Sequence, residues 1–187
     1  VIDQPAPAHA PAPYVRDMTL ADCEAVATVR VRGWQSAYAG LMPQAHLDAM
    51  DITADAAVRR RHLTSRNGVV NVVAERPGAG VVGWAALGPY REEGRRLARG
   101  ELYAIYVLPE QTGTGVGRAL MTEALARAAA AGHPDLALWV LKENAPARRF
   151  YERAGFHADG AEEPFDVDGV AVPEVRYVRT LTPPPAG

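Results

Sequence analysis

A strand-like run that ends in a glycine-rich turn and opens a helix constrains this chain more than any other feature. Glu101–Leu108 is rich in aromatic and aliphatic residues. Gly113, Gly115 and Gly117 follow at alternate positions, then an alanine- and leucine-rich segment with Val116, Leu120, Ala124 and Ala128 on one face. Gly132 and Pro134 stop that helix, and Leu136–Leu141 is a second apolar strand. Strand, helix and strand over 101–141 predict a parallel pair joined by a right-handed crossover. Gly68–Glu75 and Val81–Leu87, joined by Arg76-Pro77-Gly78-Ala79-Gly80, read as an antiparallel hairpin. A polar loop, Pro89 to Gly100, leads into the central strand. Phe156 onward and Val172–Leu181 read as closing strands.

The N-terminal half is helical in pattern. After a short strand at Tyr14–Met18, Thr19 is the expected cap of a helix, with Asp22 placing an acid in its first turn. Cys23, Val26, Ala27, Trp34, Ala37 and Tyr38 follow helical spacing up to Gly40. Pro43 opens a second helical segment, and Thr53 to Arg66 predicts a third, with Arg59, Arg60 and Arg61 on a solvated face. Pro146 at a first helical position starts a short helix that ends at Gly155. The expectation is one mixed-sheet α/β domain over 14–181. Residues 1–13 form a disordered Pro/Ala-rich arm, and 182–187 a flexible tail.

Composition narrows the function classes. The 187 residues, 48% hydrophobic, are enough for a full core. With 20 Lys+Arg against 22 Asp+Glu, a net charge of −2 lacks the strongly basic surface that nucleic acid requires. Cys23 is the only cysteine, which excludes an internal disulfide and a Cys-based zinc site. No apolar run approaches the ~20 residues of a membrane span, and Val1–Pro13 lacks the pattern of a secretory signal. A cytoplasmic protein with no membrane or nucleic-acid partner and no metal is the expectation.

The glycine turn is suited to one ligand type. Successive exposed N–H groups and a helix N-terminus make a cradle for pyrophosphate, with a ligand-free glycine turn as the plain alternative. A P-loop requires Gly-Lys-[Ser/Thr], where Arg118-Ala119 stands here. The dinucleotide fingerprint requires a small residue at Arg118 and an acid closing the next strand. Arg118 in the first helical turn opposes the helix dipole, an arrangement that a bound anion would reverse.

Thr112-Gly113-Thr114-Gly115-Val116-Gly117 resembles motif A of the GNAT (Gcn5-related) N-acetyltransferases, [Gln/Arg]-x-x-Gly-x-[Gly/Ala]. Thr112 stands where the family has Gln or Arg, with Gln111 one place early. A second segment is similar to the family's Asn-x-x-[Ala/Arg]-x-x-[Phe/Leu]-Tyr-x-x-x-Gly-Phe pattern: Asn144 to Phe156, through Arg148, Phe150, Tyr151 and Gly155. Trp34 to Leu41 resembles the first-helix region of many bacterial members. The resemblance covers roughly Tyr14 to Leu181.

It implies a GNAT-like fold, a mixed and mostly antiparallel sheet split at a central parallel pair and flanked by helices. It also implies acetyl transfer from acetyl-CoA, the cosubstrate, to an amine. Backbone groups of Ile105, Tyr106 and Val107 would pair with the pantetheine arm. Thr112, Thr114 and the amides of Gly113, Gly115, Val116, Gly117 and Arg118 would hold the pyrophosphate, with Asn144 and Arg148 as further cofactor contacts. Tyr151 stands at the family's general-acid position, and Glu101 where many members carry a carboxylate base; a packed aromatic and a solvated strand-end glutamate are the alternatives. Trp139 occupies the other base position of the family. Trp34 and Tyr38 are candidate acceptor-pocket residues, or plain core. His46 and Glu174 are further candidates for amine contacts. Arg95, Arg96 and Arg99 are expected to be solvated, or to meet an acidic acceptor or the adenosine 3′-phosphate. The expected acceptor is a small-molecule primary amine. A peptide or ribosomal protein, aminoacyl-tRNA, and a non-catalytic acyl-CoA-binding module are the rival readings. Homodimerisation is implied at the family level only.

Overall fold

In a computed structural model, which describes residues 12–65, 67–91 and 98–181, the alternation of β-rich runs resolves into one seven-stranded sheet ordered β1-β2-β3-β4-β5-β7-β6. The strands are β1 (Tyr14–Asp17), β2 (Val70–Arg76), β3 (Gly80–Pro89), β4 (Gly100–Val107), β5 (Asp135–Leu141), β6 (His157–Val167) and β7 (Val170–Thr180). The helices are α1 (Cys23–Ala37), α2 (Gln44–Ala49), α3 (Ile52–Thr64), α4 (Val116–Ala130) and α5 (Ala145–Arg153). Only β4 and β5 run parallel, as the strand–helix–strand unit requires. Among the described residues no helix is long and apolar enough to cross a membrane.

The period-2 pattern divides the core between the two faces. Val72 and Ala74 of β2, and Leu136, Leu138 and Val140 of β5, pack with Leu120, Met121, Ala124 and Ala128 of α4. Val73 of β2 and Trp84 of β3 turn the other way, onto Val26 and Val29 of α1. A side chain on the α1 face therefore belongs to a different layer from its sequence neighbour.

Details of the helices differ from the sequence reading. Thr19 precedes a short 3₁₀ turn, Leu20–Asp22, that runs into α1. The Asp22 carboxylate accepts from the Thr19 N–H and hydroxyl and pairs with Arg16 of β1. This pairing holds its carboxyl down at about 2. α1 ends at Ala37, and Gly40 with φ 74° sits in the turn beyond. α3 is capped by Asp51 through the Ala54 N–H and ends at Thr64; Arg66 lies outside the described residues. Arg59 does not lie on a solvated face. Its guanidinium stacks 5.3 Å from the Trp84 ring and faces Asp55 one turn earlier, on the helix that packs beside α1. α5 begins at Ala145, one residue before Pro146. Arg95 and Arg96 lie outside the described residues, whereas Arg99 pairs with Asp135 at 2.6 Å.

Two irregularities in the register shape everything around the central strands. Ala86 pairs with Ala104 and Leu87 with Leu102, so Tyr103 is an extra residue on β4, a bulge that bends the strand. The β4–β5 pairing consists of Gly100↔Leu136 and Glu101↔Ala137 and then stops. Beyond it β4 remains paired to β3 as far as Val107, and β5 to β7 as far as Leu141. The sheet opens as a V, with one edge of β4 exposed to the gap.

The closeness of α4 to the sheet depends on Gly83 of β3. A Cβ there would stand 2.9 Å from Leu120 Cδ1 and 2.9 Å from Val116 Cγ1. Gly83→Ala is therefore expected to lower stability by roughly 1–3 kcal/mol through overpacking. Urea denaturation should show a lower midpoint with an unchanged slope.

Candidate active site

The glycine loop is held by backbone geometry that its sequence demands. A 3₁₀ turn, Pro109–Gln111, ends at Thr112, and Gly113 and Gly115 then take φ of 79° and 93°, values that L side chains rarely adopt. A Cβ on either would meet nothing within 4 Å, so the loop's outer surface is open. Thr114 N–H donates to the Gln111 carbonyl at 3.3 Å, and the next backbone hydrogen bond is Ala119 N–H to the Gly115 carbonyl at 3.0 Å. The N–H groups of Val116, Gly117 and Arg118 therefore leave the helix end without intrahelical partners. The Val116 side chain is core, so only its backbone serves the site.

Arg76, at the end of β2 and only 7% exposed, reaches across to this loop. Its Nη2 donates to the Thr114 carbonyl at 2.8 Å and to the Thr114 hydroxyl at 3.2 Å. The same hydroxyl donates to the Gln111 carbonyl at 2.7 Å. Sequence reading left Arg76 in a hairpin turn; only the neighbouring positions of β2 and the loop reveal its contact.

Arg118 lines two cavities that meet the loop, one of about 820 Å³ beside Arg76 and one of about 470 Å³ toward α5. The second is also lined by Arg153 and Arg179. The expected contact Arg148 turns inward instead, donating to the Tyr177 hydroxyl at 3.0 Å and to the Lys142 carbonyl at 2.9 Å. Nothing in the Asn144 to Phe156 pattern singles out Arg153 or Arg179, which line the same cavity as the loop.

Where β4 and β5 part, a narrow cleft is lined by Leu102 to Tyr106 on one side and by Trp139, Val140, Asn144, Ala147 and Tyr151 on the other. The side chains of Ile105 and Val107 pack into the α4-side core, so these residues offer the gap their backbone. Asn144 is 6% exposed and caps α5, accepting the Ala147 N–H at 3.2 Å. That cap fixes the helix that carries Tyr151. Burial pushes the Tyr151 phenol above its ordinary value, and the nearby Tyr106 and Glu174 act in the same direction. It is held as a neutral O–H.

The cleft continues into a cavity of about 450 Å³ on the α1 face. Trp34 and Tyr38 line it, with Tyr103, Tyr106, Trp139 and Phe165 completing an aromatic wall. The Tyr38 and Tyr106 hydroxyls lie 3.0 Å apart. Among the described residues its charged lining is three carboxylates, Glu101, Glu163 and Glu174, and one cation, Arg91. Glu101 is 2% exposed. Its carboxylate accepts from the Arg91 N–H at 2.9 Å, Nε at 3.2 Å and Nη2 at 2.6 Å. His46 lies away from the cavity lining and bonds Asp168 at 2.8 Å, tying α2 to the β6–β7 turn.

A split sheet, an N–H cradle at the helix start and a buried tyrosine across the gap agree with what comparison to known proteins finds. The model of the acetyltransferase (GNAT) family matches residues 31–156. The uncharacterized N-acetyltransferase YuaI of Bacillus subtilis is 33% identical over 162 residues, 86% of this chain and 89% of that protein. The structure of the PaiA N-acetyltransferase of Thermoplasma acidophilum in complex with coenzyme A superposes with a TM-score of 0.70 at 19% identity, covering 91% of this chain and 99% of that one. A phosphinothricin acetyltransferase of Sinorhizobium meliloti in complex with acetyl-CoA gives a TM-score of 0.71 at 23% identity over 90% of this chain and 88% of its own. The chain belongs to the GNAT family of acetyltransferases.

Proposed function

We propose that this acetyltransferase moves the acetyl group of acetyl-CoA to the primary amine of a small molecule. The observation that carries this reading is the split between β4 and β5, which frees an edge of β4 beside a cavity of about 450 Å³. A phosphate-bearing donor fits the cradle because the positive φ glycines leave its outer surface clear. Acetyl-CoA supplies an activated thioester carbonyl and a thiol leaving group.

In this reading the amides of Gly113 and of Gly115 to Arg118 take the pyrophosphate. Thr112 and Thr114 shape the loop, and Arg118, Arg153 and Arg179 supply positive charge around it. The free backbone edge of β4 at Ile105, Tyr106 and Val107 pairs with the pantetheine arm, as a further strand would. Asn144 caps and fixes α5. Arg148 acts from behind, through Tyr177 and the Lys142 carbonyl.

The chemistry then asks two things of the side chains. An ammonium with an ordinary pKa near ~10.4 must lose a proton before it attacks, and a thiol near ~8.5 must gain one as it leaves. Tyr151, neutral and inside the cleft, is the proton donor to the sulfur. Of the carboxylates available as a base, Glu101 is bound by three Arg91 donors. That environment favours a role in fixing charge at the mouth of the split, and the negative cavity favours a cationic acceptor over an acidic one.

Two measurements test the assignment. Release of thiol from acetyl-CoA across a panel of small amines and peptides should be amine-dependent. Binding of acetyl-CoA without release would make the protein an acyl-CoA-binding module, and release with peptides alone would move the acceptor to a protein. Tyr151→Phe is expected to lower kcat by roughly 10²–10⁴-fold while leaving the KM for acetyl-CoA nearly unchanged. Arg76→Ala should do the reverse. Loss of its hold on Thr114 should weaken coenzyme A binding by roughly ten-fold, equivalent to about 1.5 kcal/mol, as read by titration calorimetry, with a smaller effect on kcat.

A further inference from the structure

The register of the last hairpin sets Glu163 of β6 directly opposite Glu174 of β7. Like charges at opposed positions destabilise a sheet, and both side chains line the acceptor cavity. Their neighbours are neutralised: Glu162 pairs with Lys142 at 2.8 Å and Glu101 with Arg91 at 2.6 Å. Among the described residues Glu163 and Glu174 have neither a hydrogen-bond donor nor an ion-pair partner. The fold thus keeps two opposed carboxylates facing one cavity.

Glu174 is the better placed of the two for chemistry. The β5–β7 register puts it across from Leu141, at the end of the strand beside the cleft. The groups around it come from each element packed there: Glu163 from β6, Glu101 from β4 with Arg91 before it, Tyr38 just after α1, Tyr106 from β4 and Tyr151 from α5. Glu174 also contributes to the electrostatic environment of the Tyr151 hydroxyl.

We propose that Glu174 takes the proton from the acceptor ammonium, while Glu163 holds the charge of the ammonium as it enters. The assignment rests on the acetyl-transfer reading above and names the base of that reaction. The ammonium gives one proton to the Glu174 carboxylate. The nitrogen lone pair then forms the C–N bond to the acetyl carbon as the C–S bond breaks and the sulfur leaves with its electron pair. Tyr151 protonates the sulfur and regains a proton from the nitrogen of the new amide. Glu174 releases its own proton to solvent, so the sum is amide, thiol and one proton. Burial, reinforced by Glu163, raises the Glu174 carboxyl to about 7, near the value at which a base is both available and effective at neutral pH.

The test uses the full chain with whichever amine of the panel supports thiol release, from pH 5.5 to 9.5. For the parent, kcat should rise with pH through about 7, since Glu174 must be ionised to act. Glu174→Gln should lower kcat at neutral pH by roughly 10²-fold or more and remove that limb, with coenzyme A affinity unchanged. Glu174→Asp should restore part of the rate. Glu101→Gln should raise the KM for the amine and keep the limb. Folding is checked independently. A carboxyl raised in the folded state costs stability as pH climbs from its unfolded value of about 4.5 to about 7, so the Gln variant should melt above the parent at pH 8, with the gap closing near pH 5. A fast Glu174→Gln enzyme that retains the limb, or loss of the limb in Glu101→Gln instead, overturns the assignment while acetyl transfer stands. A parent that releases no thiol with any amine overturns both.

Discussion

One extra residue in β4 governs most of this structure. Tyr103 interrupts the β3–β4 ladder, and the bend it imposes coincides with the point where β4 stops pairing with β5. Without that divergence the sheet would close over its own hydrogen bonds, and there would be neither a free backbone edge on β4 nor a cleft between β4 and β5. The bulge is anchored from both sides: the Tyr103 hydroxyl donates to the Pro89 carbonyl, and the Arg91 guanidinium lies 4.3 Å from its ring. Because Arg91 also binds Glu101, the charge at the mouth of the split and the bend that creates the split are held by one side chain.

The two halves of the site sit on different kinds of support. The donor side rests on a helix start and a strand edge, both regular elements whose geometry follows from local sequence. The acceptor side is assembled from α1, the bulged strand and the β6–β7 hairpin, elements far apart in the chain. Trp34, Met42, Leu47, Leu141 and Val167 form a small core of their own beneath it, so the pocket has packing independent of the main α4 layer.

That division explains what the sequence disclosed. The parallel pair, the hairpins, the glycine turn and the short helix that carries Tyr151 follow from local pattern and turn chemistry, and all were legible. The bulge at Tyr103 leaves no mark, because Glu101–Val107 reads equally well as a straight strand. Arg76, Arg153 and Arg179 look like ordinary surface arginines until strand order and helix docking bring them to the loop. The Glu163–Glu174 opposition is a fact of register, which a closing hairpin with few turn constraints does not announce. Arg148 shows the converse: a motif position can be recognised and its side chain still face inward.

Tyr106 belongs to both halves. Its strand borders the donor cleft, its ring lines the acceptor cavity, and its hydroxyl meets that of Tyr38. In the reaction proposed above Tyr106 would touch both substrates, and whatever factor the donor imposes on binding of the acceptor through it, the acceptor would impose equally on the donor. In the proposed reaction, apparent specificity for an amine would then be partly a statement about which acyl donor is already in place.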